Sequence, residues 1–189
     1  MTSRPRSFRS LRALIHQLPT GDETNRALRE LSSNPDDRTV AIVGAALLES
    51  ALQAALTFKL KKIGASHTSE IFRGDDAPFG SFSAKIKLAR AINLLGDPAR
   101  HDLDCMREVR NAFAQIRRTK LTFETAEIAA VCKRINFPIF GDDTVEEVGM
   151  SRWYFLSGAI LYSRMLVEMA TPGHHPFSKK QLGRSWRYK

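Results

Sequence analysis

A chain of 189 residues, 43% of them hydrophobic, is long enough for one domain with a real buried core. Its formal charge of +9 sits entirely in its ends. Arg4, Arg6, Arg9 and Arg12 open the chain, Lys179, Lys180, Arg184, Arg187 and Lys189 close it, and neither stretch holds an acid. The body from 13 to 171 is therefore charge-balanced, which makes the net charge weaker evidence for a nucleic-acid-binding fold than it looks.

The predicted elements are helical throughout. Residues 1–18 form a basic N-terminal extension in which Leu11, Leu14, Ile15 and Leu18 are spaced as one helix face, unlike the unbroken apolar run of a signal peptide. Thr20-Gly21-Asp22-Glu23 reads as a capping box for a helix through about Leu31, and Asn34-Pro35-Asp36-Asp37 ends that helix and opens the next. From Arg38 to Ile63 runs the longest periodic segment, closed by Lys59, Lys61, Lys62 and Gly64, the expected helix stop. Its stretch from Thr39 to Phe58 nears the length of a membrane span, but Glu49 and Gln53 at its centre favour the buried helix of a soluble bundle.

The segment 74–83 is predicted as an irregular loop, carrying Phe79, Gly80, Ser81 and Phe82. It feeds a helix from about Ser83 to Leu95, stopped by Gly96-Asp97-Pro98. Helices over about Ala99–Arg117, Phe123–Ile135 and Ser151–Ala170 follow, the last broken by Pro172-Gly173. The expected architecture is a single all-α bundle of six or seven helices over 19–171, with the basic tail 172–189 beyond it.

Within the helix predicted from Ala99, Leu103, Met106, Val109, Phe113 and Ile116 share a face, and Arg110 projects from within it. A guanidinium there needs a partner, since an unpaired buried charge is heavily penalised. Glu49, inside a helix that is apolar nearly all round, is the economical choice. The pair either locks helix register inside the core or lines a cleft, with Asn111 and Gln115 beside it. In the loop, Ser81 or Ser83 is expected to cap the following helix, and Phe79 and Phe82 either plug the core or, if exposed, form a partner-binding knob. The tail residues Lys179, Lys180, Arg184, Trp186, Arg187 and Lys189 interleave cations with aromatics, a mix suited to nucleic acid. Cys105 and Cys132 read as reduced intracellular thiols. None of His16, His67, His101, His174 and His175 has a second histidine a helical turn away, so no metal or cofactor is expected.

Three ordered segments carry a resemblance: Val40 through Leu52, Ala77 through Ile86, and Val109-Arg110-Asn111-Ala112-Phe113-Ala114. Together they resemble the MltR family, named for the repressor of the mannitol operon, over roughly residues 20–140. That resemblance implies an all-α transcriptional regulator without a known DNA-reading motif, acting through other proteins. The Arg-Asn-x-Phe-Ala element is also similar to the HEPN superfamily, whose ribonucleases use Arg-x4–6-His at a helical dimer interface. This chain departs from that pattern, with Gln115, Ile116 and Arg117 at the three positions where the histidine would stand, and an amide neither takes nor gives a proton at neutral pH. The resulting expectation is a cytoplasmic, non-enzymatic regulator without a catalytic residue. It is expected to be a homodimer with a protein partner, no membrane association, and nucleic-acid contact through its basic ends. The alternative is a HEPN-like RNA-binding, toxin or defence protein with a degenerate motif.

Overall fold

A computed structural model describes residues 21–62, 64, 67–68, 70–72, 76–115, 120–136 and 149–170. Among these residues there are six α-helices and no strand, as the periodicity predicts. They are α1 (Gly21–Ser32), α2 (Asp37–Lys62), α3 (Phe82–Ala91), α4 (Asp97–Ala114), α5 (Ala126–Cys132) and α6 (Met150–Met169). The basic segments 1–18 and 172–189 lie outside the described residues.

The turn between α1 and α2 is built by short polar side chains. Asn34 Oδ1 accepts from the Asp36 amide at 2.8 Å, and Asp36 Oδ2 accepts from the Thr39 amide at 2.8 Å, which satisfies an orphan donor of the first turn of α2. The Thr39 hydroxyl beside it holds the Asp36 carboxyl below its usual range. α2 then runs for 26 residues and ends on Lys59, Lys61 and Lys62, with Gly64 at φ +88° just beyond, a conformation that suits glycine. By length and composition α2 would also pass for a membrane span, and 56% of its most apolar window is buried inside the bundle.

α2 is the hub, in contact with α1, α3, α4 and α6. It runs parallel to α6, because Asp37 meets Arg152 while Gly44 faces Phe155 and Ala159 further along both. α4 runs antiparallel to α6, with Asp102 against Tyr162 and Met106 against Gly158. At that second crossing a Cβ on Gly158 would fall 1.9 Å from Met106 Cε, so the missing side chain is what lets the methionine seat. The rings of Phe113, Phe123 and Phe155 form a tilted chain, 5.1 and 5.3 Å between centroids, and tie α4, the approach to α5, and α6 into one core.

Three predicted helices need their boundaries corrected. The helix predicted through Leu95 stops at Ala91, because Asn93 takes a left-handed conformation (φ 55°). The Asn93 and Leu94 amides then donate to the Arg90 and Ala89 carbonyls, a Schellman closure in which Leu94 and Leu95 reach the core from a turn. The next helix begins at Asp97 after an N-cap Gly96, with Pro98 in its first turn, and ends at Ala114 rather than Arg117. The helix predicted over Phe123–Ile135 is shorter, Ala126–Cys132, while Phe123 and Ile135 are buried at its flanks.

Candidate functional site

α3 has a buried face made by Phe82, Ile86 and Ala89, and Lys85 lies on it, only 5% exposed. A lysine in that position must be neutralised. Lys85 Nζ donates to Glu49 Oε1 at 2.7 Å, and the other carboxylate oxygen accepts from Arg110 Nη2 at 3.3 Å. Arg110 Nη1 donates in turn to Asn111 Oδ1 at 3.2 Å. Three helices, α2, α3 and α4, thus each supply a charge to one centre, two cations against one carboxylate.

The expected Glu49–Arg110 pair is present, but its setting combines the two arrangements the sequence left open. Met106 and Phe113, on the same stripe as Arg110, are fully buried, while the Arg110 side chain keeps 32% of its surface in solvent. The arginine lies at the rim of the core. The closer, better buried partner of Glu49 is Lys85, so the Arg110 charge is only partly compensated. Two of its five N–H donors are used in these bonds.

Gln115 does not join the centre. The helix ends one residue earlier, Gln115 takes extended backbone (φ −72°, ψ 111°) as the C-cap, and its side chain is exposed. The expectation of a fourth polar group beside Arg110 is corrected accordingly.

The loop residues behave as packing and capping groups. Phe82 is the first residue of α3 and 2% exposed, and Phe79 is half-buried against the core, its ring 6.5 Å from that of Phe72. Both are placed as the core-plugging alternative has it, Phe82 wholly and Phe79 in part. Gly80 donates its amide to the Ala77 carbonyl at 3.1 Å, and Ser81 Oγ accepts from the Ala84 amide at 3.2 Å as the N-cap. The tail residues Lys179, Lys180, Arg184, Trp186, Arg187 and Lys189 lie outside the described residues.

A second polar centre was not read from the sequence. Asp102, 1% exposed, accepts from the Tyr162 hydroxyl at 2.8 Å through Oδ2, and from the Asn136 amide at 2.9 Å and Asn136 Nδ2 at 3.2 Å through Oδ1. Burial pushes its carboxyl above the usual carboxylate range, and burial also raises the Tyr162 phenol, which stays the donor. The signal was there: Asp102 shares its helix face with Ala99, Cys105, Met106 and Val109, all buried.

His101 and Cys105 stand one helical turn apart on α4 and are in polar contact. The Arg134 carbonyl, 3.2 Å from His101 Nε2, only accepts, so it assigns the proton to Nε2, the same nitrogen that lies 3.6 Å from Cys105 Sγ. Burial raises the Cys105 thiol and lifts Cys132 to about 12, so both free cysteines are held protonated and inert.

A third buried charge, Arg152 on α6, is a clamp. It donates to Asp37 Oδ1 at 2.9 Å, to the Pro35 carbonyl at 3.4 Å and to the Asn34 carbonyl, while Asp37 Oδ2 accepts from the Phe123 amide at 2.9 Å. Among the described residues no group of three or more His, Cys, Asp or Glu side chains is placed to hold a metal ion.

No family model matches the chain, and neither the curated proteins nor the solved structures hold a significant match to it.

Proposed function

We propose that this chain is a cytoplasmic, non-enzymatic regulator of transcription of the kind the MltR resemblance implies, a homodimer that works by binding another protein through its helical surface. The observation that carries this reading is the make-up of the rim centre. Glu49, Lys85, Arg110 and Asn111 provide charge and directional hydrogen bonds there. General acid–base chemistry at neutral pH needs a group that exchanges protons in that range. The centre holds no imidazole and no thiol, and both oxygens of its one carboxylate are taken up by Lys85 and Arg110. His101 precedes Arg110 by nine residues on α4, which places it half a turn round the helix and about 13 Å along it.

A second reading has one observation in its favour. The centre carries net positive charge and an arginine side chain one-third exposed, which also suits a phosphodiester, as the HEPN-like alternative requires. Transcript profiling of host cells lacking the chain, complemented with wild type or Arg110→Gln, separates the two. A limited set of transcripts restored by wild type and not by the variant supports regulation. RNA cleavage on expression of the wild type, lost in the variant, contradicts it and favours the alternative.

A further inference from the structure

The surface beside the rim centre has an unusual composition. Between Thr39 and Phe58 of α2, Glu49 is the only charged residue. That stretch nevertheless has a solvent-facing side: Val43 is 39% exposed, Ala46 is exposed, and Ser50 and Gln53 are half-exposed. The 43, 46, 50, 53 spacing keeps these four on one strip of the helix. Ala46 and Gln53 stand three before and four after Glu49, two of the four positions that neighbour it on the helix surface; the other two, Ala45 and Leu52, are buried. Glu49 therefore stands at the edge of a charge-free strip, and the Arg110 guanidinium is bonded to it there. Helical surfaces that face only water carry mixed charges, whereas the centres of protein interfaces are depleted of charge and enriched in arginine.

From this juxtaposition we infer that the α2 strip and Arg110 form a docking surface for an acidic amphipathic segment of another protein, whose carboxylate binds the Arg110 fork while its apolar side chains lie over Val43 and Ala46. The inference rests on the proposed regulatory reading and names the partner chemistry of that same site. Charge complementarity selects the occupant. Lys85 and Arg110 exceed Glu49 by one positive charge, so the centre accepts one further carboxylate. A second copy docking face to face would bring two centres of like charge together. A nucleic-acid strand needs a track of cations along its backbone, and the strip offers none beyond the centre.

The test is a selection from a random 12-residue peptide display library on the full-length protein, with counter-selection on Arg110→Gln. The nine terminal cations hold any acidic peptide loosely, so the difference between the two proteins is the quantity that matters. Recovered peptides should be rich in Asp and Glu interleaved with apolar residues. Their affinity, measured by fluorescence anisotropy, should fall about tenfold or more on Arg110→Gln and on Val43→Glu, as truncation of an interface anchor does. Val43→Glu touches no buried group and keeps the test valid if Arg110→Gln unfolds. Three results would overturn the inference: peptides without acid enrichment, affinity untouched by either variant, or tighter Arg110-dependent binding of a single-stranded oligouridylate. A change of oligomeric mass on Val43→Glu would also overturn it, because the strip would then be covered by a second copy. Failure here leaves the transcript-profiling result intact, so the two readings fall separately.

Discussion

Two carboxylates among the described residues, Asp102 and Glu49, are held in opposite ways. Asp102 is sealed by neutral donors from Tyr162 and Asn136 and holds three elements together. Glu49 is held by two cations, one buried and one a third exposed, so that charge is left over at the surface. A satisfied neutral network has nothing to offer a partner, and an over-neutralised ionic one does. The contrast separates a structural polar group from a candidate functional one without any appeal to a known relative.

The largest expected effect falls on the sealed centre. Asp102→Ala strands the Tyr162 hydroxyl and the Asn136 donors in an apolar interior, and urea unfolding should register a loss of about 3 kcal/mol. Glu49→Gln comes next. It removes the anion from the buried Lys85 ammonium, and a loss of about 2–3 kcal/mol by the same measurement is expected. A smaller, signed effect distinguishes the two carboxylates by pH. A carboxyl raised by burial favours its protonated form in the folded state, so its contribution is greatest below the unfolded value of about 3.9 and is lost as the pH rises through the higher folded value. Asp102→Asn keeps an acceptor for Asn136 and removes that titration. Its stability relative to wild type should therefore increase from about pH 4 upward, and a difference constant with pH would break the assignment. Smallest of all, Val43→Glu should leave the unfolding free energy within about 0.5 kcal/mol of wild type, because the side chain is already 39% exposed.

The helical class, the hub helix and the Glu49–Arg110 pair were all legible in the sequence for one reason, the conflict between charge and an apolar periodicity. Arg110 sits among Met106, Val109 and Phe113, and Glu49 among alanines and leucines, so each announces itself against its surroundings. Lys85 and Asp102 obey the same rule beside Ile86 and Leu103 and were passed over because each also has polar neighbours in sequence. What stayed out of reach were joins between segments far apart, such as Tyr162 with Asp102 across 60 residues, or Arg152 with the turn before α2. The helix ends at Ala91 and Ala114 were misread for a local reason. Apolar periodicity continues past Asn93, while the left-handed backbone at that residue redirects the chain, and leucines supplied from a turn look the same in sequence as leucines on a helix.

The most direct test of the comparison is the unfolding free energy of Arg110→Ala. Glu49 retains Lys85 in that variant and the lost cation is one-third exposed, so a destabilisation of no more than about 1 kcal/mol is expected, leaving Arg110 available to a partner. A loss of about 3 kcal/mol or more would show that Arg110 is as structural as Asp102 and would contradict the division between the two centres.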